Sequence, residues 1–228
     1  MTSITLSPVV GIPEVRAGDD VAGLIIAALG PERLRDRDIV VVAHKIVSKA
    51  EGRVVDGRHR REAALAESAR VLRRSGEMII SETHHGFVCA NAGVDASNIE
   101  RDQVVLLPLD PDLSARRLRA RLMHATGTEV GVVVSDTFGR AWRLGQTNVA
   151  IGVAGFDPFL DYRGRRDEHG NELTSTRICV ADEIAGAAEM VMGKARSVPV
   201  AIVRGVPLTF GSGVATDVVR PAAEDLFR

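Results

Sequence analysis

Residues 130–155 read VGVVVSDTFGRAWRLGQTNVAIGVAG, with apolar runs at 130–134 and 149–153. Between the runs stand Asp136, Thr137, Arg140, Arg143, Gln146, Thr147 and Asn148. Polar and cationic groups set between two buried strands are unfavourable unless they bind something. An aspartate at a strand end with arginines just after it suits a metal ion and phosphate oxygens. The carboxylate holds the ion, and the guanidinium forks match phosphate. In that chemistry Arg140 and Arg143 stabilise charge developing on a transferred phosphoryl group. The competing reading is a polar hairpin loop in which Asp136 pairs with Arg140 or Arg143 in solvent.

A second aspartate, Asp110 in LLPLDPD, also ends an apolar run. Strand ends are where an α/β fold presents functional groups, so Asp110, Asp136 and Thr137 together fit a Mg2+ or Mn2+ site completed by phosphate and water. Alone, Asp110 reads equally as an Asx-turn at Asp-Pro-Asp. AHKIVSKAEGRVV supplies Lys45, Ser48, Lys49, Glu51 and Arg53 after another apolar run. Clustered cations there suit a nucleotide phosphate, whereas each lysine alone is an ordinary surface residue. HHGFVCANAGVDASN carries His84, His85, Asn91, Asp95, Ser97 and Asn98 around Gly93, groups that either cradle a substrate or cap turns. The adjacent histidines point to opposite faces of an extended segment and make a poor joint metal site. The charged stretch at 161–167, ahead of His169, reads as a solvated turn.

These groups need a frame. DIVVVAH (38–44), the runs at 130–134 and 149–153, VVLLPLD (104–110), STRICVA and VPVAIVRG read as strands, as do EMIISE and GFVCANAG. Helices are expected over 17–30, 59–76, from near Asp112 or Ser114 to about His124, and over 182–195. The Gly-rich stretch 206–221 reads as a loop over something. Strands and helices alternate irregularly, which predicts an α/β protein of α+β character with a mixed sheet. The chain of 228 residues reads as a single domain over 1–228, with two lobes as a variant.

Composition narrows the function. Formal net charge is −1 and aromatics are 4%, so neither a nucleic-acid partner nor a membrane surface is indicated. Cys89 and Cys179 lie in apolar stretches and read as reduced core thiols, although a disulfide between them stays open. No basic leader with a long apolar core is visible, and no apolar run approaches a membrane span, so a cytoplasmic location is expected. There is no P-loop, no G-x-G-x-x-G after a strand, no G-x-S-x-G elbow and no kinase signature set, so nucleotide binding would need another cradle.

Seven blocks in this chain resemble the coenzyme F420:L-glutamate ligases, the γ-glutamyl ligases of deazaflavin biosynthesis. They are GIPEVRAGDDVAGLI, VVVAHKIVSKAEGRV, HGFVCANAGVDASN, LLPLDPDLSA, VSDTFGRAWRLGQTNVAIGVAG, DYRGRRDEHGNELTSTRICVADEIAGAAEMVMGK and VPVAIVRG. They follow the family's order and cover nearly the whole chain. The likeness is nearest to the N-terminal ligase domain of a two-domain actinobacterial enzyme whose C-terminal part is nitroreductase-like. RPAAEDLFR falls about where those two domains join.

The resemblance implies an unusual α/β fold in a butterfly-shaped homodimer. It implies joining of L-glutamate to the phospholactyl carboxylate of coenzyme F420-0, or its dehydro form, with GTP split to GDP and phosphate. Mg2+ or Mn2+ is needed and K+ assists. Carried over by motif, Asp110, Asp136 and Thr137 are the metal ligands. Ile12, Pro13, Glu14, Val15 and Lys49 meet GTP, and so does a Gly-rich segment containing Gly205, Gly211 and Gly213. His44 stands where the family commonly has Ser or Thr, next to the nucleotide. It can still donate a hydrogen bond but is larger.

The mechanism expected is ligation through an acyl phosphate, with further γ-linked glutamates as a possible extension and Glu183 and His85 as candidate proton acceptors. A metal-dependent phosphotransferase or phosphatase using the same carboxylates is the alternative enzyme. A non-catalytic deazaflavin-binding module is the alternative without chemistry.

Overall fold

The computed structural model describes residues 3–30 and 33–226. In chain order these form β1 (Thr5–Val9), α1 (Val21–Leu29), β2 (Ile39–Ala43), α2 (His44–Ala50), β3 (Val54–Asp56), α3 (Arg60–Ala66), β4 (Ser68–Ser75), β5 (Met78–Thr83) and β6 (Val88–Ala90). There follow β7 (Gln103–Val105), α4 (Pro111–Thr126), β8 (Gly131–Arg140), β9 (Arg143–Ala154), β10 (Phe159–Asp161), β11 (Arg177–Cys179), α5 (Val180–Met192) and β12 (Val200–Arg204).

The largest sheet is mixed, in the order β1-β12-β2-β8-β9. Only its β2–β8 pair is parallel; the other neighbours run antiparallel. β2 is apolar throughout because both faces of the sheet are covered. Val40 and Val42 point to one face, where they meet Ile25 of α1 and Leu118 and Leu122 of α4. Ile39 and Val41 point to the other, against Ile184, Ala185 and Ala188 of α5. This period-2 alternation puts helices on both faces from one uninterrupted apolar strand. A third, smaller core of Ala64, Ile79, Val94, Val104 and Leu106 joins α3 to the β3–β7 pair and the β4-β5-β6 sheet.

Several expectations are corrected. The helix expected over 59–76 ends at Ala66, and residues 68–75 form β4 against β5. Beyond Glu67 the apolar residues Val71 and Leu72 are adjacent rather than recurring on one helical face. Antiparallel pairing with β5 satisfies that backbone instead, and Arg70 adds a side-chain bond to Glu82 at 2.9 Å. The strand expected over 104–110 is only β7, and its last residue caps α4. The polar stretch between the two runs is no loop: β8 and β9 continue through it as a ribbon that turns at Ala141 and Trp142. Cys89 and Cys179 are both free thiols, and burial pushes the Cys89 thiol up to about 12, with the Asp136 charge adding to it. Among the described residues, no helix is long and apolar enough to cross a membrane.

Candidate active site

The parallel β2–β8 pair sets up the site. Its register matches Ala43 with Ser135, so the next residues, His44 and Asp136, emerge side by side where the β2–β8 pairing ends and β8 runs on against β9 alone. A bulge between Val134 and Ser135 shifts the register with β9, after which Asp136 faces Val149 and Thr137 faces Asn148. Bulges of this kind re-aim side chains next to functional sites. α5 packs on β9 and brings Glu189 to Asn148, whose amide donates to Oε2 at 2.9 Å. The turn after α5 then carries Lys194 over Thr137.

The result is a cavity of about 280 Å³. Ile12, Pro13, Glu14 and Val15 form one wall. His44, Lys45 and Lys49 from α2, with Asn98, form the second, and Asp136, Thr137 and Asn148 the third. Glu189 and the turn through Gly193, Lys194 and Ser197 close it. Three lysines and three carboxylates therefore face one cavity.

Each charge has a defined partner. Lys49 Nζ lies 2.5 Å from Glu14 Oε1 and donates to the Asn98 carbonyl at 3.0 Å. Lys45 Nζ meets Asp95 Oδ2 at 2.8 Å and Ser97 Oγ at 2.5 Å. Burial raises the Asp95 carboxyl, but the Lys45 ammonium and the Ser97 amide outweigh it and hold it below the usual carboxylate range. Asp136 is 9% exposed and its Oδ1 accepts from the Thr137 amide at 2.6 Å. The Thr137 hydroxyl donates to Asn148 Oδ1 at 2.6 Å, and Lys194 Nζ rests on both oxygens. Two buried side-chain atoms beside the cavity, His44 Nε2 and Ser135 Oγ, have no hydrogen-bond partner among the described residues. Buried polar groups are seldom left so without a reason such as a bound ligand.

The structure thus brings together Ile12, Pro13, Glu14, Val15, His44, Lys49, Asp136 and Thr137. It does not bring Asp110 to them. Asp110 caps α4 by accepting from the Leu113 amide at 2.8 Å, and it borders another depression with His85 and Arg116. Its geometry is the turn-capping one, with Pro111 at the first helical position. Arg140 and Arg143 face each other at the exposed end of the β8–β9 ribbon and do not line the cavity. Gly205, Gly211 and Gly213 also lie outside its lining. Gly205 has φ +88°, and a Cβ there would sit 2.2 Å from the Ser3 carbonyl oxygen. A Cβ on Gly213 would sit 2.6 Å from the Phe156 carbonyl oxygen, so packing accounts for these two glycines. Glu183 is exposed, and His85 donates to the Leu109 carbonyl at 3.0 Å outside the cavity.

Asn148 stands among the polar groups singled out between the two apolar runs, whereas Glu189 and the turn with Lys194 and Ser197 are not legible in the sequence pattern. A Gly-Lys pair inside the helix expected over 182–195 is the available signal; α5 ends at Met192, which frees Gly193 and Lys194 for the turn. Asp95 and Asn98 belong to the groups that either cradle a substrate or cap turns, and the fold puts Asn98 in the cavity wall and Asp95 behind Lys45.

A cavity with paired ammoniums, a buried carboxylate, a hydroxyl and an amide oxygen suits a phosphate-bearing ligand together with a cation. A profile of the F420-0:gamma-glutamyl ligase family matches residues 10–61 and 58–205. The coenzyme F420:L-glutamate ligase of Methanothermobacter thermautotrophicus is 45% identical, with 99% of each chain covered. That of Methanocaldococcus jannaschii is 40% identical, with 86% of each covered. That of Archaeoglobus fulgidus is 38% identical, covering 99% of this chain and 96% of its own. Matched by the family profile over most of its length and by these relatives nearly end to end, the chain belongs to the F420-0:gamma-glutamyl ligase family.

Proposed function

We propose that this chain is a GTP-dependent ligase that joins L-glutamate to the phospholactyl carboxylate of coenzyme F420-0. The observation that carries the reading is the cavity in which Lys49 and Lys194 face Asp136 and Thr137. A carboxylate is a poor electrophile, since its leaving group would be oxide. Transfer of the terminal phosphoryl group of GTP to it forms an acyl phosphate and GDP. The glutamate amine then attacks the carbonyl carbon, and phosphate leaves with the bond's electron pair. Little covalent work falls to the protein, whose task is positioning and charge stabilisation.

The residues present fit a divalent ion. Lys194 Nζ already places a positive charge on Thr137 Oγ1 and Asn148 Oδ1, and the Asp136 carboxylate is buried beside them. Asp136 and Thr137 would hold Mg2+ or Mn2+, which supplies charge neutralisation on the phosphates. Lys49 exchanges Glu14 and the Asn98 carbonyl for phosphate oxygens, and Ile12, Pro13 and Val15 exclude water from that wall. With an ion held at Asp136 and Thr137, Lys194 would be free of that oxygen cluster and available to a phosphate oxygen.

Family membership supports the rest of the reading: K+ as an assisting ion, the dehydro precursor as an alternative acceptor, further γ-linked glutamates, a homodimer and a cytoplasmic setting.

The test is mass spectrometry of the precursor after incubation with this chain, GTP, Mn2+ and L-glutamate. Glutamylated product that vanishes without GTP or metal is expected. GTP cleavage that ignores glutamate, with precursor unchanged, would replace the ligase by a phosphotransferase. Tight precursor binding with both substrates unchanged would make the chain a deazaflavin-binding module.

A further inference from the structure

We propose that His44 is a divalent-metal ligand in this chain, binding through Nε2 beside Asp136, and that it biases the site toward Mn2+ over Mg2+. This rests on the metal–GTP reading of the cavity given above.

His44 is the first residue of α2 and 2% exposed, yet it borders the cavity. Its Nε2 lies 3.2 Å from Asp136 Oδ1. That approach lacks hydrogen-bond alignment, and Nε2 has no hydrogen-bond partner among the described residues. In the Nδ1–H tautomer, two electron-pair donors this close, with no proton between them, are arranged as neighbours around a shared cation. Metal–donor distances of about 2.1 Å place adjacent octahedral ligands about 3.0 Å apart and tetrahedral ones about 3.4 Å apart. The 3.2 Å separation falls between them, so an ion can enter with little movement of either side chain.

The surroundings hold both donors in place. Ser48 Oγ lies 3.3 Å from His44 Nδ1 and can accept a hydrogen bond from it, and in that Nδ1–H tautomer the Nε2 lone pair faces Asp136. A partner on the second ring nitrogen is what metal-binding imidazoles ordinarily have. The Thr137 amide fixes Asp136 Oδ1 from the other side. Among the described residues no three His, Cys, Asp or Glu side chains converge, so the protein's share is one imidazole, one carboxylate and the Thr137 hydroxyl. The open positions are left for phosphate oxygens and water.

An imidazole ligand has a consequence for metal choice. Mg2+ is a hard ion that takes oxygen ligands and gives up its water reluctantly, whereas first-row transition ions accept nitrogen readily. The ratio of Mn2+ to Mg2+ affinity should therefore depend on residue 44.

The experiment uses the full chain with Mn2+ alone and then with GDP. Pulsed electron paramagnetic resonance of wild-type protein should show coupling of Mn2+ to an imidazole nitrogen. His44→Ser should remove that coupling and weaken Mn2+ binding about tenfold, while Mg2+ binding, read by competition, changes less than threefold. His44→Gln, closer in size, provides the same comparison if the serine variant melts early. Absence of nitrogen coupling in the wild type overturns the proposal without needing any variant. So does a His44→Ser protein that loses only GDP affinity at an unchanged metal ratio, because His44 would then be a nucleotide contact. Asp136→Asn that still binds Mn2+ like the wild type would sink the underlying metal reading, a failure distinct from loss of the His44 assignment alone.

Discussion

Thr137 and Asn148 face each other across the β8–β9 ladder, and the Thr137 hydroxyl donates to the Asn148 amide oxygen at 2.6 Å. Asn148 in turn donates to Glu189 on α5 at 2.9 Å. The Thr137 hydroxyl is thus aimed by a neighbour that is itself held. Partners of this kind typically contribute 10–100-fold to metal affinity or activity. Asn148→Ala should raise the Mn2+ concentration for half-maximal GTP cleavage about tenfold. A metal titration that overlays the wild type would mean that Thr137 needs no such support.

Asp136→Asn keeps the acceptor for the Thr137 amide and removes the charge. Metal stabilisation of transferring phosphate supplies several kcal/mol, so glutamylation should fall roughly 10²- to 10³-fold with the fold intact. Wild-type turnover in a folded variant would remove Asp136 from the metal site.

Arg140 and Arg143 stand at the exposed end of the ribbon, away from the cavity lining. Surface substitutions away from packed features usually change stability by less than about 0.5 kcal/mol. Arg140→Ala and Arg143→Ala should accordingly leave kcat and KM within about twofold. A loss of two orders of magnitude or more would show that this ribbon reaches an active site, that of its own chain or of a second copy.

The Lys45–Asp95 pair makes an acid-side prediction. The Asp95 carboxyl titrates below its usual value in the folded chain. Its contribution to stability is therefore complete above the unfolded value of about 3.9 and is lost as pH falls through the lower, folded value. Asp95→Asn should lower the urea midpoint at pH 7, and the gap to wild type should close as pH falls below about 3.9. A gap that stays constant with pH would mean that packing, and not the charge, is what Asp95 supplies.

At the opposite end of β2, Asp38 is fully buried and takes two bonds of 2.7 Å from the Arg204 guanidinium. The Arg204 side chain is 33% exposed and keeps water when Asp38 is removed, so the loss is that of charge-assisted hydrogen bonds, about 1.5–3 kcal/mol. Asp38→Ala should lower the melting temperature by roughly 3–12 °C. Specific activity at 25 °C should hold, since Asp38 and His44 lie at opposite ends of the strand. A melting curve that matches the wild type would show that Arg204 re-pairs elsewhere.

The sequence by itself determined the buried strands, most of the helices and the mixed character of the sheet. Residues 39–43 and 130–134 are apolar enough that only an interior strand accommodates them, and α5 announces itself by a 3.6-residue stripe. It also singled out Asp136 and Thr137, because polar groups directly after such a strand must be satisfied. Local pattern was not sufficient for the segment 68–75, where pairing with β5 overrode the helix expected over 59–76. Nor could it separate Asp110 from Asp136. Both end apolar runs, but one caps a helix through a local hydrogen bond to Leu113, and the other is placed beside His44 by the β2–β8 register. Register, the bulge at Ser135 and the packing of α5 on β9 are non-local, so the contacts of Thr137 with Asn148 and Lys194 were decided by the tertiary structure alone. A hydrogen bond between strands depends on which residues are brought opposite each other, and that is settled only when the whole sheet closes on its two helical layers.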